Sequence, residues 1–154
     1  MKPVQVSIEV PYRRDHVFDF LDVMSNHEPF TNHMLHDWEY SGPDRGIGSK
    51  AKVTIKAAGR SEPVDIEVIA AERPSTIVEQ NVSGRGKRIG TGSYTLEALA
   101  ADQTRIIFEY AWPQPLLSDR VAAPLVRAIL RRGNQRAMER LAEQLTAHET
   151  VAAG

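Results

Sequence analysis

The segment from Leu117 to Thr146 constrains the fold more than any other part of the sequence, because it is predicted to form one long helix. Small or apolar residues recur in it at intervals of three and four, which keeps them on one face of a helix with 3.6 residues per turn. They are Val126, Leu130, Gly133, Ala137, Leu141 and Leu145. At about 1.5 Å per residue the helix is roughly 45 Å long. Most of the remaining chain has the pattern of strands, so the sequence predicts a sheet wrapped on this helix.

Length, charge and composition exclude several classes of function. A chain of 154 residues fits one domain, which we place at residues 1–147, with a frayed tail at 148–154. The net charge of −1 argues against a nucleic-acid partner, since an extended nucleic-acid surface needs a basic excess. The chain has no cysteine, which excludes disulfides and cysteine-ligated metals. No run of eighteen apolar residues exists, so we expect no membrane-spanning segment. A cytoplasmic location is the default because the N-terminus has no secretory signal, and the sequence carries no signal for an oligomeric state.

Seven strands and two short helices are predicted before the long helix. The first strand, Val4 to Val10, alternates apolar and polar residues and ends at Pro11. A short helix capped by Asp15 follows, and a second is expected around Glu28 to Met34. Six further strands are predicted, most of them with the same alternation. They are marked by Trp38 and Tyr40, Ala51 to Ile55, Val64 to Val68, Ile77 to Val82, Tyr94 to Ala98, and Ile106 to Trp112. Because short turns join them, we expect an antiparallel meander and an α+β fold.

Pro124 predicts an irregularity near the start of the long helix. A proline inside a helix removes one backbone hydrogen bond and clashes with the carbonyl four residues earlier, at Arg120. We therefore expect a break between Ala122 and Leu125. The segment from Pro113 to Pro124 is then a candidate gate.

Three stretches in this order resemble the START-like helix-grip superfamily, also called SRPBCC, and within it the polyketide cyclase/dehydrase and lipid-transport branch. They are VSIEVPYRRDHVFDFLDVMSNHEPF, GPDRGIGSKAKVTI and YTLEALAADQTRIIFEYAW. The resemblance covers nearly the whole chain. It implies a curved antiparallel seven-stranded sheet that wraps on the C-terminal helix, with an apolar cavity between them. It also implies a hydrophobic small-molecule ligand such as a lipid or polyketide, or an enzyme of the cyclase/dehydrase type that uses the same cavity. We expect no cofactor.

The best functional signal in the pattern is an aromatic strand face made of Phe108, Tyr110 and Trp112. Core packing explains such a face equally well. A pocket is favoured because Tyr and Trp have polar ends that need partners inside a cavity. With the resemblance, the predicted ligand-binding residues are Phe30, Trp38, Tyr94, Phe108, Tyr110, Trp112, Val126, Ile129, Leu130 and Gly133. Because aromatic walls are present and no clear catalytic pair is, we favour binding over catalysis.

Three histidines, His27, His33 and His36, lie close together in the sequence. A His33-x-x-His36 pair has the spacing of some zinc sites, but no third ligand accompanies it, so we expect no metal and partly exposed loop histidines. A histidine also titrates near neutral pH and can transfer protons at a pocket mouth. For the enzyme alternative, the candidate proton carriers are His33, His36, Glu109 and Tyr110.

Glu79 lies in a strand whose two faces the sequence does not distinguish. An inward Glu79 would have a raised pKa and act as an acid. We expect it to point outward, because charged residues are seldom buried without a partner.

Two features of the long helix also call for an explanation. Gly133 lies on its apolar face, and glycine in a helix costs roughly 1 kcal/mol relative to alanine. We expect an open cavity opposite it rather than a tight contact with the sheet. Arginines make the helix basic, and Arg136–Glu139 and Arg140–Glu143 are spaced for helix pairs. The usual interpretation of these arginines is a solvent-exposed helix face, and contact with anionic lipid headgroups is the alternative.

Overall fold

The structure is a computed structural model that describes residues 2–57, 59–112 and 117–153. Within these residues, seven strands make up one sheet and four α-helices accompany it. The strands are β1 (Val4–Val10), β2 (Leu35–Ser41), β3 (Lys50–Ala57), β4 (Arg60–Glu72), β5 (Thr76–Ser83), β6 (Arg88–Ala100) and β7 (Gln103–Ala111). The helices are α1 (Arg14–Leu21), α2 (Glu28–Thr31), α3 (Leu117–Val121) and α4 (Ala123–Ala153), with 3₁₀ turns at Met24–His27 and Gly84–Gly86. The predicted α+β class and the two short helical segments after β1 are confirmed.

The sheet is antiparallel throughout, with the strand order β1-β7-β6-β5-β4-β3-β2. Strands β2 to β7 form the predicted meander, and β1 pairs with β7 along its whole length. Directly paired residues show which side chains share a face. Val6 lies opposite Phe108, and Phe108 lies opposite Tyr94, so all three point toward the helices. We call this side the inner face.

The core lies between the inner face and α4. The buried apolar residues that α4 contributes are Ala137, Met138, Leu141 and Leu145, which confirms the C-terminal half of the predicted apolar face. The start of α4 is less enclosed, with Val126, Ile129 and Leu130 half-buried and Leu125 63% exposed. The helix is therefore most deeply buried between Asn134 and Leu145.

The helix is interrupted at Ala122, between α3 and α4, as Pro124 predicts. The helical path nevertheless continues through the break. The Ala122 N–H donates to the Ser118 carbonyl at 3.3 Å, and the Val126 N–H donates to the Ala122 carbonyl at 3.0 Å. Residues 113–116 of the candidate gate lie outside the described residues, so the gate stays a prediction.

Three local expectations need correction. Asp15 does not cap α1, because the N-cap residue is Arg13 and Asp15 lies in the first turn. The second short helix divides into a 3₁₀ turn and α2, which ends at Thr31 rather than Met34. The long helix continues past Thr146 to Ala153. There a carboxylate oxygen of Glu149 lies 3.1 Å from Nε2 of His16, so the last turns of α4 lie beside α1. The domain boundary at residue 147 stays a prediction.

Candidate functional site

Glu79 lies on the inner face of β5 and is 7% exposed, so the expectation that it points outward is wrong. It lies directly opposite Gly92 on β6, and Gly92 lies opposite Tyr110 on β7. A Cβ atom at Gly92 would be 3.2 Å from both the Cγ and the Oε1 of Glu79. The missing side chain on β6 therefore provides the space into which the carboxyl group turns.

A second glycine accommodates a tyrosine in the same way. Gly90 pairs with Asn81, two residues after Glu79 and on the same side of β5. The Tyr110 ring lies over Gly90, and its hydroxyl occupies the position that a Cβ atom would take there. Glu79, Asn81 and Tyr110 thus converge on a strip of inner face that β6 leaves uncovered. We call these three residues the polar strip.

Burial controls the protonation of this strip. Desolvation raises the pKa of Glu79 from 4.5 to about 7. Burial also raises the pKa of Tyr110 and of Tyr94, and the nearby Glu79 carboxyl shifts both in the same direction. A hydrogen bond from Asn81 opposes the shift at Tyr110. Near neutral pH, Glu79 therefore exists in both its neutral and its charged form.

Two oxygen atoms of the strip, Oε2 of Glu79 and Oδ1 of Asn81, are buried without a hydrogen-bond partner in the part of the chain that the structure describes. The same is true of Nδ2 of Asn134, on α4. Most buried polar groups in folded proteins have partners, so each exception needs a reason. The three atoms amount to two acceptors on the sheet and one donor on the helix.

Aromatic rings continue the inner face on both sides of the strip. The Tyr94 and Phe108 centroids are 4.8 Å apart, and the His27 ring meets Tyr94 edge-on at 5.6 Å. At the other end Trp112 contacts Tyr110 at 5.1 Å, just past the end of β7. The predicted aromatic face is therefore present, with Trp112 half-buried at its end.

The remaining predicted ligand-binding residues lie in other surroundings. Phe30 is fully buried in α2, 5.3 Å from the His27 ring. Trp38 lies on the edge strand β2, where its ring stacks on Tyr40 at 5.8 Å. Three half-buried residues are on α4: Val126, Ile129 and Leu130.

The expectation of an open cavity at Gly133 is wrong. The Met34 sulfur occupies the position that a Cβ atom of Gly133 would take. The Gly133 carbonyl also accepts a hydrogen bond from Nε2 of His33 at 2.9 Å. Gly133 thus allows the segment before β2, rather than the sheet or a ligand, to approach α4 closely.

The three histidines do not form a cluster. His27 is buried, with Nε2 bonded to the Leu21 carbonyl, which corrects the expectation of a partly exposed loop residue. His33 is held between Gly133 and Arg140, whose Nη1 donates to His33 Nδ1 at 3.2 Å. Desolvation lowers the pKa of His27 and of His33.

His36 lies on the outer face of the sheet. It pairs with Thr54, which alternates with the buried Val53 on β3. No group of three metal-ligating side chains occurs among the described residues.

Glu109 also points away from the interior. It lies between Phe108 and Tyr110 on β7 and is paired with Gln5 and Ser93, so it is on the outer face. Two open surface depressions, of about 200 and 350 Å³, lie by the turn after β2 and over the outer face of β3 to β5. Glu79, Tyr94 and Tyr110 line neither of them.

Solved structures of several proteins superimpose on this arrangement over almost the whole chain. The Zhui aromatase/cyclase from Streptomyces sp. R1128 matches with a TM-score of 0.76 at 12% identity, covering 99% of this chain and 98% of that one. A norcoclaurine synthase point mutant from Thalictrum flavum, in complex with a transition state analogue, matches with 0.76 at 16% identity and 96% of each chain. Ara h 8.0201 matches with 0.61 at 17% identity, covering 95% and 98%. The protein has the START-like helix-grip fold.

At these identities the likeness extends to the fold alone. No protein-family model and no curated protein matched the sequence. No helix in the described part of the helix-grip domain is long and apolar enough to cross a membrane.

The polar strip is the part of this helix-grip protein that the sequence reading missed. The available signal was the spacing of Gly90 and Gly92, which puts two glycines on one face of β6. Once they are paired with β5 and β7, they open space for Glu79 and Tyr110. The sequence does not show which strands pair with β6. Without that pairing, neither glycine indicates that it opens space for a side chain of a neighbouring strand.

Proposed function

We propose that this protein binds one hydrophobic small molecule between the inner face of its sheet and α4, with a polar end of the ligand at the polar strip. The observation that carries the proposal is the pair of unpartnered buried oxygens on Glu79 and Asn81. A buried acceptor without a partner costs about 1–3 kcal/mol. A ligand that donates hydrogen bonds to these atoms removes that cost on binding.

The surroundings of the strip indicate the kind of ligand. Tyr94 and Phe108 offer apolar ring surface, so the body of the ligand is aromatic or aliphatic. Oδ1 of Asn81 is an acceptor, and Oε2 of Glu79 is one when the carboxyl is charged, so the polar end of the ligand carries hydroxyl or amine groups. Helix-grip neighbours that are an aromatase/cyclase, or that hold a transition state analogue, are compatible with such a ligand in this fold.

Native mass spectrometry of the freshly purified full chain tests the proposal. We expect a co-purified small molecule whose adduct is lost in Glu79→Leu. The matched control is Gln80→Leu, one residue further along β5 and on its other face, which should keep the adduct. An apolar fluorescent probe gives a second readout, with saturable binding that Glu79→Leu changes and Gln80→Leu does not. Absence of both adduct and saturable probe binding, or equal behaviour of the two variants, would contradict the proposal.

Catalysis is the second candidate, favoured by the pKa of Glu79 near 7. A general acid or base is most effective when its pKa is close to the working pH. With the Tyr110 hydroxyl near it, Glu79 has the properties needed to move a proton next to a carbonyl group, as cyclisation and dehydration require. NMR detection of deuterium incorporation from D₂O into a panel of aryl ketones tests this. We expect exchange that Glu79→Gln abolishes and Glu109→Gln leaves intact. No exchange above the buffer rate with any ketone would leave binding alone as the proposed function.

A further inference from the structure

Three large apolar side chains are exposed on one side of α3 and the start of α4. Leu117, Val121 and Leu125 are 76%, 81% and 63% exposed. Their spacing of four residues puts them on one side of the helix. We call these three residues the apolar stripe. At about 100° per residue, Leu125 lies roughly 160° around the helix from the buried Leu141. The stripe therefore faces away from the sheet, where a surface helix is normally polar.

The same part of the chain carries a strong positive charge. Residues 117–136 contain five arginines and one aspartate, which gives a net charge of +4 in a chain of net charge −1. Arg120, Arg131 and Arg132 are exposed. Arg127 points elsewhere and donates to the Lys2 and Pro3 carbonyls at 3.1 and 3.2 Å. These bonds hold the start of α4 against the start of β1.

We propose that the apolar stripe docks the protein on an anionic lipid bilayer, with its side chains among the acyl chains and the arginines at the headgroups. A helix with apolar and cationic residues on its exposed side binds membranes in this way. Arginine side chains can extend from the helix to the headgroups while their stems stay in apolar surroundings. A second copy of the chain fits less well, because a two-fold contact would bring the same positive surface together. The proposal does not depend on the interior ligand site.

Sedimentation of the full chain with lipid vesicles tests the proposal. We expect binding to vesicles that contain phosphatidylserine, weaker binding to pure phosphatidylcholine vesicles, and a loss of binding as salt is added. Val121→Ser with Leu125→Ser should lower the partition coefficient at least about tenfold, because two apolar side chains no longer leave water. Arg131→Gln with Arg132→Gln should lower it about twenty-five-fold, since each basic residue near the surface contributes a factor of about five.

The matched controls make the same kinds of substitution on the sheet, away from the apolar stripe. Ile69→Ser with Leu99→Ser removes two exposed apolar residues from the sheet, and Lys52→Gln with Lys56→Gln removes two exposed cations from β3. Both control variants should bind vesicles like the parent protein. All these positions are exposed, so thermal unfolding should be nearly unchanged in each variant. Three outcomes would overturn the proposal: no vesicle binding by the parent, equal binding by the stripe variant, or a dimer that the stripe variant dissociates.

Discussion

Glu79 makes the free energy of unfolding depend on pH. Its pKa is about 7 in the folded protein, against an ordinary 4.5. Between these values the folded protein keeps a proton that the unfolded chain has released, so this contribution to stability falls as the pH rises from 4.5 to 7 and is constant above that. Glu79→Gln removes the dependence. We expect the variant to gain stability relative to the parent over this range, by up to about 3 kcal/mol.

Urea unfolding at a series of pH values measures the difference between the two proteins. His27 and His33 titrate in both, so the difference isolates residue 79. Gln80→Leu, next to Glu79 on β5 but without a titratable group, is the control and should give a difference that hardly varies with pH. A Glu79→Gln difference independent of pH would show that the carboxyl has an ordinary pKa.

Gly133→Leu is a second test at the scale of one residue. The Met34 sulfur already fills the space at Gly133, so the added side chain overpacks the contact. We expect destabilisation of about 1–3 kcal/mol. In a Met34→Ala background the same substitution should cost much less, because the obstructing atom is gone. Chemical unfolding of the four proteins of this cycle gives the coupling, and a coupling near zero would mean that Met34 does not limit the space.

At the scale of elements, Arg140 joins α4 to the segment before β2. Its Nη2 donates to the Pro29 carbonyl at 3.0 Å and its Nη1 to His33 at 3.2 Å. Hydrogen bonds that involve a charged group contribute about 1.5–3 kcal/mol. We expect Arg140→Met to lower the free energy of unfolding by roughly that amount and to speed amide exchange across residues 28–34. Arg132→Met, at an exposed position of the same helix, is the control for helix charge and should do neither.

Across the whole molecule, features that depend on residues close in sequence could be predicted, and features that depend on residues distant in sequence could not. Alternation in β1 and β3 and the periodicity of the C-terminal half of the long helix are local, and their buried faces were predicted correctly. The break at Ala122 follows from Pro124, which acts within one turn. Glu79 was misplaced because its burial depends on Gly92, in another strand. Gly133 was misread because its neighbour Met34 lies about a hundred residues away in the chain. The polar strip was missed for the same reason, because it depends on the pairing of three strands.

The position of β1 in the sheet also has a consequence for how the protein is made. Val4 pairs with Tyr110, so β1, which is synthesised before the other six strands of the sheet, has no partner until β7 has been synthesised. The meander from β2 to β7 can form step by step between neighbours, whereas β1 waits for more than a hundred residues. Contacts between residues this distant in sequence form slowly during folding. Until they form, an unpaired strand edge favours aggregation with other chains. During translation β1 is therefore the strand of this sheet that stays unpaired longest and gains most from a chaperone.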